Sequence, residues 1–266
     1  MRKNTCDTAM SAVFACACIA LIIIPIPAMI NDILLAANIF LGISILAAAH
    51  YAVKRNTADG FPAVVFAMTV FRFTLAVTIM RHILAEGTAF DIRIIQIPGV
   101  LASSHIFAAG MLIYLVLTGV NYFLITHGTA RISEVAAQFA LDSMPPKMLA
   151  VDAALNAKTI SWDEATAQRK EIRRIVDMHG TADGAATLLR YEIMTVTGLI
   201  MLTCVSAFLL DVSLRGASPI ASANIYSGLA AGSAAYMLVS SMLSQIALYT
   251  ISTGGEWTNR SRSDIS

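Results

Sequence analysis

Residues 128–190 carry most of the chemistry in this sequence. They form a charged, polar stretch between two strongly apolar blocks and open with Arg131, Ser133, Glu134, Gln138, Asp142, Lys147 and Asp152. Acids and bases in a loop between apolar blocks suit recognition and coupling, since charged loop side chains rarely support a core. Within the apolar blocks five polar side chains stand out: Asp32, Asn38, Arg72, Asn121 and Glu192. A charge at bilayer depth is costly and normally faces a partner or a wet cavity. Arg72 therefore needs a carboxylate, and Glu192 and Asp32 are the candidates. Asp32 follows Pro25-Ile26-Pro27 and could simply be solvated. Glu192 reads equally as a proton-handling group or as a helix-start acid favoured by the dipole.

Other chemistries find no footing. His50, His82, His105, His127 and His179 are scattered, with no ligand spacing. Cys6, Cys16, Cys18 and Cys204 include no CxxC pair and read as small apolar fillers. There is no Walker loop and no GxGxxG. Neither catalysis, a metal nor a cofactor is expected. A net charge of +1 without a basic arm gives no reason to expect nucleic acid as a partner.

These groups sit in a membrane frame. The chain has 266 residues, of which 57% are hydrophobic and 13% charged, with mean hydropathy +0.72. A soluble domain carries nearly twice that charged fraction. Crossing the hydrocarbon core takes about 20 apolar residues. Six stretches qualify, at about 9–30, 33–53, 62–80, 105–126, 192–210 and 224–251. The first follows Arg2 and Lys3 as a signal peptide would, but it is long and Pro25-Ile26-Pro27 is no small-residue cleavage site, so an uncleaved span is expected. The expected fold is an all-α polytopic membrane protein with a helical cytosolic loop between the fourth and fifth spans. The parts are a membrane region at 1–127, the loop at 128–190, a second membrane region at 191–253 and a polar tail at 254–266. With the N-terminus inside, fourteen of the 18 Lys and Arg fall on the cytoplasmic side, and only Arg81, Arg93 and Arg215 on the other. Both termini and the loop are expected to be cytoplasmic.

Inside the loop, Ile132, Val135, Phe139 and Ala140 suggest a short amphipathic helix ended by Pro145-Pro146. Ser161-Trp162-Asp163-Glu164 is a capping box that starts a second helix. His179-Gly180 and Asp183-Gly184 are expected to punctuate the chain after it.

The loop resembles the signature of the flagellar and virulence export-gate family (FHIPEP), which reads approximately R-V-x-E-V-x-A-R-F-x-L-D-x-M-P-G-K-Q-M-x-I-D-x-D-L-N-A-G. Arg131, Glu134, Val135, Ala137, Phe139, Leu141, Asp142, Met144, Pro145, Lys147 and Asp152 fall at matching places, as do Leu155, Asn156 and Ala157. Asp183-Gly184-Ala185 matches a later family stretch, Phe71-Arg72 the third span, and Ser244-Gln245-Ile246 with Ile251-Ser252-Thr253 the sixth. Pro146 replaces a family glycine, Gln138 an arginine, and Glu192 an aspartate.

The resemblance implies the N-terminal membrane part of a type III export gate in the bacterial inner membrane. Its implied partners are a homo-oligomeric, nonameric ring, other export-apparatus membrane proteins and exported protein substrates. It implies proton-coupled protein secretion, with Glu192, Arg72 and Asp32 as coupling candidates. Arg131, Glu134, Asp142, Pro145, Lys147, Asp152 and Asp183 form the implied interaction loop. The family continues past the sixth-span motif into two further spans and a large cytosolic domain, so a split or truncated gate remains an alternative. So does an ion-coupled small-solute transporter, although no internal repeat of the usual carrier kind is visible.

Overall fold

The structure is a computed structural model that describes the backbone of residues 2–55, 60–103 and 106–263, and the side chains of 12–53, 60–101 and 106–253. His105 and the side chains of the 254–266 tail lie outside the described residues.

The described chain is all α-helical. Helix α1 (Arg2–Ile23) ends before Pro25, and α2 (Ala28–Arg55) starts directly after Pro27. Helix α3 (Phe61–Glu86) is followed by a 3-10 turn at Gly87–Ala89, and then by the short α4 (Arg93–Ser103) and α5 (Phe107–Phe123). A π-helical segment at Leu124–Thr129 joins α5 to α6 (Ala130–Asn156). Helices α7 (Trp162–Ser213) and α8 (Pro219–Ser263) are the longest, at 52 and 45 residues. Among the described residues five helical segments are long and apolar enough to cross a bilayer, and Ala12–Ile23 is a shorter apolar helix in the place of the first expected span. The 52 residues of α7 would extend about 78 Å at 1.5 Å per residue. Only its apolar second half fits within a hydrocarbon core about 30 Å thick.

The chain divides into two compact units. The first comprises 1–42, 67–122 and 191–242. Its core gathers Leu35, Leu75, Ile79, Ile95, Tyr114 and Leu229. Helix α4 lies against α8 backbone to backbone: a Cβ on Gly99 would stand 2.2 Å from the Gly228 carbonyl oxygen, and one on Gly232 2.0 Å from that of Ile95. Small residues at such crossings are how membrane helices gain close packing.

The second unit comprises 43–66, 123–190 and 243–266 and contains the 128–190 insert. Helix α6 does not end at Pro145-Pro146; both prolines lie inside it. The carbonyls they leave without donors belong to Leu141 and Asp142, both exposed, so water can satisfy them. The helix ends at Asn156, eleven residues after Pro145; just beyond it Lys158 takes φ +56° and the Thr159 amide donates to the Ala154 carbonyl, a left-handed C-terminal cap. The buried face is also not the expected one. Ala130, Ser133, Ala137 and Val151 are buried, while Phe139 and Leu141 are exposed. Small side chains let α6 pack closely, and Ser133 meets Ser252 at 3.0 Å. Helix α7 likewise runs without a break through His179-Gly180 and Asp183-Gly184. A glycine inside a helix costs only about 1 kcal/mol, which a continuous packed face overrides.

Candidate functional site

A charged pair lies buried among the helices of the first unit. Arg72 on α3 donates from Nε to Glu192 Oε1 and from Nη2 to Oε2, both at 2.7 Å. The two side chains are 5% and 3% exposed. The fork-to-fork geometry uses both carboxylate oxygens and is the strong form of this interaction. Arg72 Nη1 also donates to the Ser240 carbonyl at 3.1 Å, and Nη2 reaches Thr69 Oγ1 at 3.4 Å. Glu192 is thirty residues into α7, so it is no helix-start acid; the expectation drawn from the dipole fails because α7 begins at Trp162.

The network continues on α2 and α8. Asn38 Nδ2 donates to Tyr236 Oη at 2.6 Å and to Ser240 Oγ at 2.7 Å, and Tyr236 Oη donates to the Leu35 carbonyl at 3.2 Å. Four helices thus meet on one polar cluster in an apolar setting, where each member raises the cost of removing the others. A cavity of about 50 Å3 opens beside it, with Arg72, Glu192, Thr203, Ser233, Tyr236 and Ser240 on its wall.

Asp32 is not part of this cluster, and it is not merely solvated. Its carboxylate accepts the amides of Arg93 (3.2 Å) and Ile94 (3.1 Å), which open α4 and lack helical partners. Asn121 accepts a hydrogen bond from Ser241 Oγ at 2.8 Å. A second buried acid, Asp211, was invisible as a site in the sequence. It accepts from Tyr226 Oη at 2.5 Å and from Arg215 Nη1 at 2.6 Å, and Arg215 Nη2 donates to the carbonyls of Leu84 and Ala85. The only sequence signal was its position four residues before Arg215 at the end of a span. Arg81 similarly caps α1, donating to the carbonyls of Ile22, Ile23 and Ile24. Capping the carbonyl ends of helices is thus work for two of the three arginines expected opposite the insert.

The loop candidates lie in the second unit and make a different kind of surface. Arg131 and Glu134 pair at 3.1 Å along α6, the arginine exposed and the glutamate half-buried. Asp142, Pro145 and Lys147 are exposed. Asp152 meets Arg169 of α7 at 2.5 Å, tying the two helices together, and Arg169 also lies over the Trp162 ring. The Ser161 cap forms as expected: Ser161 Oγ accepts the Glu164 amide, and the Glu164 carboxylate accepts the Ser161 amide. Those bonds hold the Glu164 carboxyl below its usual range. Asp183 is half-buried, and burial together with the Glu134 charge pushes its carboxyl above the usual range, against the pull of Arg190. Among the described residues no group of three or more His, Cys, Asp or Glu converges as metal ligands would.

The FHIPEP family profile matches residues 18–263. Flagellar biosynthesis protein FlhA of Salmonella typhimurium is 33% identical over 217 residues, covering 80% of this chain and 31% of that protein. FlhA of Caulobacter vibrioides is 38% identical over 186 residues, 69% of this chain and 26% of its own length. Harpin secretion protein HrpI of Erwinia amylovora is 31% identical over 212 residues, 80% of this chain and 29% of its own. The chain therefore spans about three-tenths of the length of such relatives. No solved structure matches it.

Proposed function

The chain belongs to the FHIPEP family, and on that premise we propose that it is a membrane component of a bacterial type III protein export apparatus, coupling proton movement to protein secretion. Both flagellar and harpin-secretion relatives support the reading. The bacterial inner membrane is its place, with both termini and the 128–190 insert on the cytoplasmic side. A ring of like subunits, other membrane proteins of the apparatus and exported polypeptides are its partners. No bond-making reaction is assigned to it.

One observation carries the coupling reading: the buried, bidentate Arg72–Glu192 pair. Arginine stays charged, so protonating Glu192 leaves a cation in the spans without its counter-charge, and the helices holding the two groups have reason to shift. The exposed acids and bases of α6 and α7, with Asp142, Lys147 and Asp183 among them, read as the surface on which that shift acts. The test is an export assay in cells that supply the relatives' remaining region. Glu192→Gln keeps the shape and removes the titrating group; it should abolish secretion at unchanged protein abundance, while Glu192→Asp should retain it. Secretion by Glu192→Gln at the wild-type level would sink the coupling role. Topology has its own check: a cysteine introduced at Ser161 should resist an impermeant thiol reagent in intact cells and react once the membrane is opened.

A further inference from the structure

A second cavity opens in the first unit, near where α3 ends and α8 begins. It measures about 130 Å3 and shares no wall residue with the one beside Arg72 and Glu192. Its polar wall is Gln96, Asn224 and Thr88, and its apolar wall includes Phe90, Val100 and Ile225. Helices α4 and α8 cross here. Gly99 faces Gly228, and Ile95, four residues back on α4, faces Gly232, four residues on along α8. The two helices therefore run antiparallel at the crossing. Gln96 lies about one turn to one side of it, and Asn224 about one turn to the other.

Each of these two amide side chains has one end engaged. Gln96 reaches the Phe90 carbonyl at 3.3 Å, and Asn224 meets the Phe107 amide at 3.0 Å. The partners fix which end is which. A backbone carbonyl only accepts, so Gln96 turns its amino end to Phe90 and has Oε1 to spare. A backbone N–H only donates, so Asn224 turns Oδ1 to Phe107 and has Nδ2 to spare. Both side chains are half-buried, and neither makes a further hydrogen bond among the described residues. The cavity wall thus carries one spare acceptor and one spare donor, on opposite sides of the helix crossing.

A trans peptide group presents its N–H and C=O in opposite directions. It can donate to Gln96 Oε1 and accept from Asn224 Nδ2 together. A phospholipid ester only accepts and leaves the glutamine unanswered. A helix has no peptide group to offer, because its own are already bonded within it. A cavity of about 150 Å3 takes a benzene ring, so the space here suits one peptide unit with a small apolar side chain. The geometry points to a docking site for the backbone of an extended, apolar segment of a partner protein, held by Gln96 and Asn224. In the topology proposed above, the site belongs to the face opposite the insert. It does not depend on the titration of Glu192.

The full chain in detergent micelles, isotopically labelled at its isoleucine methyls, is titrated with N-methylisobutyramide and with methyl isobutyrate. The two probes have nearly the same shape, but the ester lacks the N–H. The Ile225 methyl signal should move with the amide, which should bind at least about tenfold more tightly than the ester. Asn224→Asp still accepts the Phe107 amide and should hold its thermal midpoint, yet its other oxygen repels the carbonyl of the probe. Its affinity for the amide should fall at least about tenfold. Equal binding of amide and ester overturns the proposal and leaves an apolar crevice of the kind that lipid fills. An Ile225 signal that neither probe moves overturns it too, as does full amide affinity in Asn224→Asp. Should Asn224→Asp fail to fold, the ratio of amide to ester affinity in the unaltered chain decides alone.

Discussion

Two ion pairs of nearly the same length sit in opposite surroundings. Arg72–Glu192 closes at 2.7 Å with its side chains 5% and 3% exposed; Arg169–Asp152 closes at 2.5 Å with 30% and 48%. Distance does not distinguish them, but solvent does. In the first unit neither charge can be screened by water, so removing one leaves the other stranded. In the second, water and salt replace a lost partner at little cost. The buried pair is consequently costly to break, while the exposed pair is not.

The comparison breaks most readily at Arg72. Arg72→Leu leaves a buried carboxylate and should destabilise the protein by about 3–5 kcal/mol, read as a lower thermal midpoint in detergent. Adding Glu192→Leu should recover most of that loss. A single variant as stable as wild type would mean that water already reaches the pair.

A smaller effect is expected at the other buried acid of the first unit. Gly87 has φ +60°, and a Cβ there would lie 1.8 Å from Arg215 Nη1 and 2.6 Å from Asp211 Oδ1. Gly87→Ala should cost about 1–3 kcal/mol through backbone strain and displacement of Arg215. Exposed Thr88→Ala, measured beside it, should be nearly neutral.

In the second unit, Ser161→Ala removes the hydroxyl that caps α7 and should cost about 1 kcal/mol, seen as faster proteolysis between 157 and 161. The smallest change belongs to Asp152→Ala, at most about 1 kcal/mol. Its thermal midpoint should hold while export falls, if the insert is a docking surface. A parallel fall in both would make the pair a brace between α6 and α7, and the contrast with Arg72–Glu192 would shrink.

Parts of this were legible before any coordinates. Five of the six expected spans were, because hydrocarbon demands a run of apolar residues whatever the neighbours; at the first, the described apolar helix is the shorter Ala12–Ile23. The Ser161 cap was, because it closes within four residues. Glu192 could be named as a candidate for Arg72 because so few carboxylates lie near the spans. Three local rules misled. Pro145-Pro146 lies within α6 because the carbonyls it releases face water. Gly180 and Gly184 do not interrupt α7. Phe139 turned outward because Ala137 and Ser133 allow the closer approach.

By itself, the sequence determined an all-α membrane chain, its family and the existence of a charge inside the spans that needed an answer. These follow from composition, from short-range spacing and from the cost of charge in hydrocarbon. Only the tertiary structure decided that Glu192 rather than Asp32 answers Arg72, and that Asp32 caps α4 instead. It alone drew Asn38, Tyr236 and Ser240 into one network across some two hundred residues of sequence. Spacing along a chain reveals partners a turn apart, whereas partners on separate helices depend on which faces the packing brings together.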